Sequence, residues 1–238
     1  METALLVGLA AMFTSALTAA MGVGGGVVLL ALMAQVVPPN VLIPLHGAAQ
    51  LMSNTARVVV QRKHIQWAFI TPFALGALLG GALLTPLVLF IPVQVGQIGL
   101  GLFILLAVWR SRWLKLTYWA PCISGTITTG LSLVIGATGP LVMSVLPRDR
   151  WERQVVVGTH GMAMTIQHGV KLIAFASLNF SLEAYWPMLL GIGLATVVGN
   201  VAGARLLGLI PEARFKFALD WLLTLLAARL VWQGGTGF

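Results

Sequence analysis

Long apolar runs separated by short polar stretches set the pattern of this chain. Runs such as Pro72–Phe90 and Gly99–Trp109 are apolar on every side. A strand of a membrane barrel would alternate polar and apolar positions, so this pattern predicts helices. A bilayer core about 30 Å thick accepts a helix of roughly 20 residues. The ten predicted segments are 3–21, 22–36, 41–61, 67–90, 93–110, 118–135, 137–147, 154–176, 184–208 and 213–232.

Two of these segments, 22–36 and 137–147, are too short to cross a bilayer. Gly22–Gly26 opens the first, and Gly136–Pro140 lies where the second begins. Each pattern predicts half of a broken hairpin, or a short helix that meets its partner near the middle of the membrane. Irregular backbone at that depth is tolerated only where it is buried in protein or lines a cavity.

Composition turns this pattern into a fold class. Hydrophobic residues make up 58% of the 238 residues and charged residues only 8%, and the mean hydropathy is +0.95. A soluble domain carries about 25% charged residues, so these charges are too few to cover a water-exposed surface. We therefore expect an all-α polytopic membrane protein with the lipid bilayer as its surroundings.

Charge and cysteine content exclude several classes of partner. A net charge of +8 on a soluble protein would suggest nucleic acid. Here the basic residues cluster in loops and at helix ends, as cytoplasmic anchors do, so no nucleic-acid partner is expected. Cys122 is the only cysteine, which excludes an internal disulfide and a multi-cysteine metal site. We expect no cofactor, no metal site and, since METALLVGLA lacks a basic region, no cleaved signal peptide.

The sequence repeats itself at an offset of 114 residues. The offset takes Gly22–Gly26 to Gly136–Pro140, His46-Gly47 to His160-Gly161, Ser53 to Gln167, Asn54 to His168, and Arg57 to Lys171. A His-Gly pair and a basic residue that keep one offset indicate a duplication. We predict two membrane repeats of about five segments each, residues 1–116 and 117–238, which together form one transmembrane domain.

Basic loop residues predict the orientation of the repeats. Four sites are expected on the cytoplasmic side because they carry Arg57, Arg62 and Lys63; Arg110, Arg112 and Lys115; Arg148, Arg150 and Arg153; and Arg214 and Lys216. The loops near 38–40, 90–92 and 177–183 carry no Lys or Arg and are expected outside. Each repeat has an odd number of segments, so the two repeats are expected to be inverted and both termini external. Inverted repeats with interrupted helices recur in secondary transporters.

The two breaks are the first candidate site. A helix that restarts at a glycine exposes its first N–H groups and its positive dipole end, which favour an anion. Two such ends could face each other and bind substrate through Gly24, Gly25, Gly26, Thr138 and Gly139. The alternative is that these small residues only let helices pack closely.

A polar stripe on segments three and eight is the second candidate. His46, Gln50, Asn54 and Arg57 are spaced 4, 4 and 3 residues apart and share one helix face. The copy of this stripe consists of His160, Met164, Gln167 or His168, and Lys171. Buried polar groups in a membrane suggest function, here a substrate path past His46, Gln50, Asn54, His160 and Gln167. The alternatives are hydrogen bonds between helices for the histidines and interfacial anchoring for the two cations.

Proton coupling or gating is predicted for the titratable residues of these segments. Histidine titrates near neutrality, and the candidates are His46, His160, His168, Arg57, Lys171 and Asp220. Asp220 is the one carboxylate well inside an apolar segment, and its alternative role is a pair with Lys216. Because intramembrane charge is mostly basic, the pattern favours an anionic substrate. Nucleophile–base triads, paired catalytic carboxylates and zinc-ligand spacings are absent from the sequence, so no enzyme activity is expected.

At these residues the chain resembles the sulfite exporter TauE/SafE family of membrane permeases. The resemblance is carried by Gly22–Gly26 closing the first helix, the small polar third segment and the degenerate copy at Gly136–Pro140, and it covers nearly the whole chain. It implies a multi-pass permease of the bacterial inner membrane for sulfur-containing anions such as sulfite, sulfoacetate or other organosulfonates. The chain departs from an exact repeat because Thr138 and Pro140 stand at the positions of Gly24 and Gly26.

The leading hypothesis is a secondary transporter for a small anion, with alternating access between inverted halves. The first alternative is a permease for a non-sulfur substrate, either a carboxylate or a metal ion. The second is a membrane scaffold subunit that transports nothing. The sequence leaves open the direction of transport, proton coupling and assembly into a homo-oligomer.

Overall fold

The computed structural model describes residues 2–21, 24–109, 120–147, 149–206 and 212–236. In these residues it contains ten α-helices and no strand. The helices are Glu2–Met21 (α1), Gly25–Met33 (α2), Pro39–Gln61 (α3), Trp67–Val88 (α4), Val93–Trp109 (α5), Pro121–Ile135 (α6), Gly139–Val145 (α7), Arg153–Ser177 (α8), Trp186–Leu206 (α9) and Glu212–Thr236 (α10). Short 3-10 turns at Arg62–His64 and Glu183–Tyr185 follow α3 and precede α9.

The all-helical class expected from the sequence is confirmed, and each of the ten segments coincides with one helix to within a few residues at either end. The two segments that were expected to be short are α2 and α7, of 9 and 7 residues. Several predictions fall outside the described residues: Gly22, the boundary between 116 and 117, and the basic residues Arg110, Arg112, Lys115 and Arg148. The division into two repeats, their inversion and the positions of both termini stay predictions.

A glycine in left-handed backbone geometry marks each break between helices. Gly24 precedes α2 with φ 106°, and Gly136 follows α6 with φ 89°. Residues with a Cβ atom rarely adopt such φ angles, whereas glycine adopts them freely. The copy of Gly24 is Thr138, which precedes α7 with φ −107°. The departure noted in the sequence therefore has a structural counterpart, because the two breaks take different backbone paths.

The four most extensive helix pairings join the first five helices to the last five. They are α4 with α6, α1 with α9, α5 with α10, and α3 with α8. Exchanging each helix with its counterpart five helices along the chain reproduces this set. Small residues permit these close approaches: a Cβ on Gly125 of α6 would lie 2.2 Å from the Phe73 carbonyl oxygen of α4.

The distribution of polar side chains in this bundle differs from that in a soluble protein. The centre contains fully buried polar side chains, among them His46, Gln167 and Lys171, each 0% exposed. The outside is apolar: Leu83 of α4 is 64% exposed and Leu194 of α9 is 72% exposed. Exposed apolar surface on this scale is typical of a membrane-facing protein.

Length and composition single out two helical stretches of the described residues that could cross a membrane, Trp67–Val88 and Glu183–Ala202. The apolar helical stretches Thr3–Thr18, Val93–Trp109 and Pro121–Ile135 are shorter. α3 and α8 have 23 and 25 residues. Their polar stripe lowers their hydropathy, and the same stripe forms the centre of the bundle.

Packing of α4 against α6 predicts a strong position dependence for glycine substitutions. Gly125→Ala should lower the free energy of unfolding by about 1–3 kcal/mol, because the new methyl group would push α6 away from α4. Gly99→Ala on α5 is the matched control, since a Cβ there meets nothing within 4 Å. Thermal unfolding of the purified protein in detergent would measure both. Equal melting temperatures for the two variants would contradict the close contact.

Candidate functional site

A small cavity lies between the two breaks and the polar faces of α3 and α8. Its volume is about 30 Å³, room for about two water molecules. The lining residues are Thr18, Gly24, Gly26, Val27, His46, Gln50, Asn54, Arg57, Ala137, Gly139, Pro140, His160, Met164 and His168. The structure therefore brings nine of the predicted site residues together: Gly24, Gly26, His46, Gln50, Asn54, Arg57, Gly139, His160 and His168.

Two histidines bind the backbone of the two breaks in the same way. His46 Nε2 lies 2.9 Å from the Gly26 carbonyl oxygen, and His160 Nε2 lies 3.2 Å from the Gly139 carbonyl oxygen. A carbonyl oxygen only accepts, so Nε2 carries the hydrogen in both rings. Neither Nδ1 atom has a partner in the described structure. Each ring thus fixes a break through one nitrogen and leaves the other uncommitted.

His168 is the third imidazole of the cavity and the least constrained. It is 1% exposed, and neither of its ring nitrogens has a hydrogen-bond partner among the described atoms. Its ring lies edge-on to His46, with 5.9 Å between the ring centroids. A buried polar group without a partner costs stability. A bound molecule with acceptor oxygens would satisfy at least one of these nitrogens.

Arg57 supplies the permanent charge of the cavity. Its Nη1 atom donates to Asn54 Oδ1 at 3.3 Å. The Asn54 amide in turn donates to the Gln50 backbone oxygen at 2.8 Å. The described lining of the cavity contains no Asp or Glu. The cavity therefore combines one permanent cation, two amides and the imidazole of His168, donors that suit an anion, with two further imidazoles whose N–H groups bind the breaks.

Five predicted site residues lie outside the lining. Gly25 packs against α1, where a Cβ would lie 2.1 Å from the Thr14 carbonyl oxygen. Gln167 Nε2 donates to Thr138 Oγ1 at 2.8 Å, so these two side chains link α8 to the second break outside the cavity lining. Lys171 bonds to the Gly136 carbonyl oxygen, and Asp220 is on α10.

Sequence reasoning missed the hydroxyl groups that surround the breaks. Thr18 lines the cavity and donates to the Thr14 carbonyl oxygen at 2.8 Å. Thr138 Oγ1 donates to the Thr128 carbonyl oxygen at 3.0 Å. The repeat contained the signal for these residues, because the 114-residue offset pairs Thr14 with Thr128, Ser15 with Thr129 and Thr18 with Ser132, and all six are buried. The other missed lining residue is Val27, whereas Ala137 and Pro140 belong to the predicted second break and Met164 to the predicted stripe on α8.

Within the described part of the chain, no group of three or more His, Cys, Asp or Glu side chains is placed to hold a metal ion. Comparison with curated proteins and with solved structures found no match. The profile of one family, described as "Sulfite exporter TauE/SafE", matches residues 6–230. This family is one of membrane permeases, and the match covers nearly all of the 238 residues. The chain therefore belongs to the sulfite exporter TauE/SafE family of membrane transporters.

Proposed function

We propose that this permease carries a small anion and binds it in the cavity between the two helix breaks. The observation that carries the proposal is the described lining itself, in which Arg57 and three histidines occur and no Asp or Glu is among the described residues. The Arg57 guanidinium can donate charge-assisted hydrogen bonds, which favour oxyanions. His168, whose ring nitrogens have no described partner, can donate a further hydrogen bond. A lining without carboxylates does not repel a bound anion. It also offers no negative charge to balance that of a bound cation.

We further propose a sulfur oxyanion or an organosulfonate, such as sulfite or sulfoacetate, as the substrate. The description of the family supports this class of substrate. The small size of the cavity, about 30 Å³, favours a compact anion. A carboxylate permease is the alternative that the same basic lining supports.

Binding is tested first by thermal stabilisation of the purified protein with a panel of ligands. Sulfite, sulfoacetate, acetate and a divalent cation would be compared at equal ionic strength. A ligand at 100 times its Kd stabilises the folded state by about 2.7 kcal/mol, so the substrate should raise the melting temperature most. Sulfite flux into liposomes that contain the protein follows. Stabilisation by the cation alone, or the absence of both sulfite and sulfonate flux, would contradict the proposed substrate class.

His168 should be a direct ligand of the anion. His168→Phe removes both ring nitrogens while it keeps an aromatic ring of similar size. A hydrogen bond to a charged group contributes about 1.5–3 kcal/mol, so sulfite should bind about 10-fold to 100-fold more weakly. Titration of the purified protein by calorimetry would measure the change in Kd.

His64→Phe is the matched control, because His64 lies in the 3-10 turn after α3 and outside the cavity lining. It should bind sulfite as the unaltered chain does.

We also propose that His168 takes up the proton if transport is proton-coupled, so that sulfite uptake into liposomes raises the external pH in a weakly buffered medium. An unchanged Kd in His168→Phe, or a pH rise that survives this substitution, would count against these roles.

Alternating access between two inverted halves is the proposed transport mechanism. It is supported by the set of helix pairings, which stays the same when the halves are exchanged. It is also supported by the matching bonds from His46 and His160 to the two breaks. In such transporters one half rocks against the other around a site near the membrane midplane. We also propose that the protein lies in the bacterial inner membrane with both termini on the external side.

The inverted topology predicts that Pro39 and Arg150 lie on opposite sides of the membrane. Both are exposed, one at the start of α3 and one just before α8. Cysteines placed singly at the two positions, in a Cys122→Ser background, should react with a membrane-impermeant thiol reagent from opposite faces of sealed vesicles. Permeabilised vesicles are the control in which both should react. Labelling of both positions from one face would refute the inversion.

A further inference from the structure

Lys171 is a buried cation that the central cavity does not use. It is 0% exposed, and its Nζ atom donates to the Gly136 carbonyl oxygen at 2.5 Å. Gly136 ends α6, where the helix dipole is negative and favours a cation. No described carboxylate forms an ion pair with Lys171. One backbone oxygen therefore holds an otherwise unbalanced charge in the middle of the bundle.

A second, apolar cavity lies beyond Lys171. Its volume is about 140 Å³, and we call it the vestibule. Residues that line it include Pro39, Ile43, Pro92, Leu133, Val134 and Phe175. They come from the ends of α3, α6 and α8 and from the loop before α5. The topology predicted from loop charges assigns this end of the bundle to the external side.

Three chain segments pass from the vestibule to the central cavity, and each passes the Lys171–Gly136 bond on the way. On α8 the order is Phe175 in the vestibule, then Lys171, then His168 in the cavity. These positions are spaced by four and three residues, so they share a helix face. At the end of α6, Val134 lines the vestibule and Ala137 the cavity, with Gly136 between them.

The third segment is α3, where Ile43 lines the vestibule and His46 lines the cavity. A Cβ on the adjacent Gly47 would lie 3.0 Å from Lys171 Cδ, so the lysine stem lies across the face of α3 at this level. The bond from Lys171 to Gly136 thus closes the space between α3, α6 and α8 where the vestibule and the cavity approach each other.

The counterpart of Lys171 in the first half behaves differently. Arg57 lies against Gly161, as Lys171 lies against Gly47, and each pair joins α3 to α8. Arg57 nevertheless lines the cavity, whereas Lys171 is bound to the backbone. Of two equivalent cations, one faces the anion site and the other is held away from it.

We propose that the Lys171–Gly136 bond is a gate between the vestibule and the central cavity, and that Lys171 is a transit site for the anion. The gate opens when the Lys171 ammonium leaves the Gly136 carbonyl oxygen. An entering anion supplies the negative charge that the released ammonium lacks inside the bundle, so passage of the anion and opening of the gate are linked. This inference rests on the proposed anion transport for the nature of the cargo.

The gate is tested by the accessibility of a cysteine inside the cavity. Met164→Cys, in a Cys122→Ser background, places the reporter in the lining. The reagent is a sulfonate-bearing methanethiosulfonate, applied to one face of sealed vesicles. That face is identified beforehand with a single cysteine in place of the exposed Asn40 at the vestibule rim, and it is the face from which this cysteine reacts. Adding Lys171→Met should speed labelling of the reporter by about tenfold or more, since a charge-assisted hydrogen bond is worth that factor. Loss of a cation alone would slow an anionic reagent, so faster labelling reports opening.

Lys63→Met is the matched control, because Lys63 is exposed in the turn after α3. It should leave the labelling rate unchanged. Gly47→Ala is a second variant, since its methyl group would displace the lysine stem, and it should also speed labelling. Unchanged labelling in both gate variants, or an equal effect of Lys63→Met, would overturn the gate. The readout needs no transport: faster labelling without sulfite flux would support the gate and reject the proposed cargo.

Discussion

Polar groups inside an apolar bundle must find partners, and this requirement organises the centre of the protein. Lipid offers no hydrogen bonds, so a buried backbone or side-chain group is satisfied within the protein or left at a cost. The breaks between α1 and α2 and between α6 and α7 interrupt the backbone hydrogen bonds that a continuous helix would make. His46 and His160 donate to carbonyl oxygens in the first turns of α2 and α7. Lys171 donates to the Gly136 carbonyl oxygen, which the C-terminal end of α6 leaves free. The polar stripes on α3 and α8 and the interrupted helices therefore require each other.

The same requirement explains why the cavity lies where it does. Two histidines use one ring nitrogen each to bind the breaks. The opposite nitrogen of each, and both nitrogens of His168, have no partner among the described residues. Polar atoms without a described partner thus gather between the two breaks and the polar faces of α3 and α8. Arg57 adds charge to this point, and its bond to Asn54 keeps the guanidinium on the cavity face of α3. One hydrogen-bond network thus both stabilises the fold and leaves a polar cavity between the two breaks.

Sequence periodicity could predict the helices and much of the site. The stripe on α3 placed His46, Gln50, Asn54 and Arg57 on one face, and all four line the cavity. Periodicity could not decide between Gln167 and His168, because neighbouring positions differ by only about 100° around a helix. The segment between α6 and α7 decides between them. Gln167 donates a hydrogen bond to Thr138 there, and His168 lines the cavity. The direction of the flexible Lys171 side chain was likewise set by Gly136, which no helical pattern on α8 could reveal.

The two breaks, although related by the repeat, differ in how many backbone conformations they can adopt. The first contains Gly24, Gly25 and Gly26, and glycine retains the widest choice of φ and ψ of any residue. The second contains Thr138, Gly139 and Pro140, where the proline ring fixes one φ angle and the threonine hydroxyl is bonded to α6. The residue types of the second break therefore restrict its backbone more than Gly24, Gly25 and Gly26 restrict that of the first. The two breaks differ not only in the angles that they adopt but also in the angles that their residues permit.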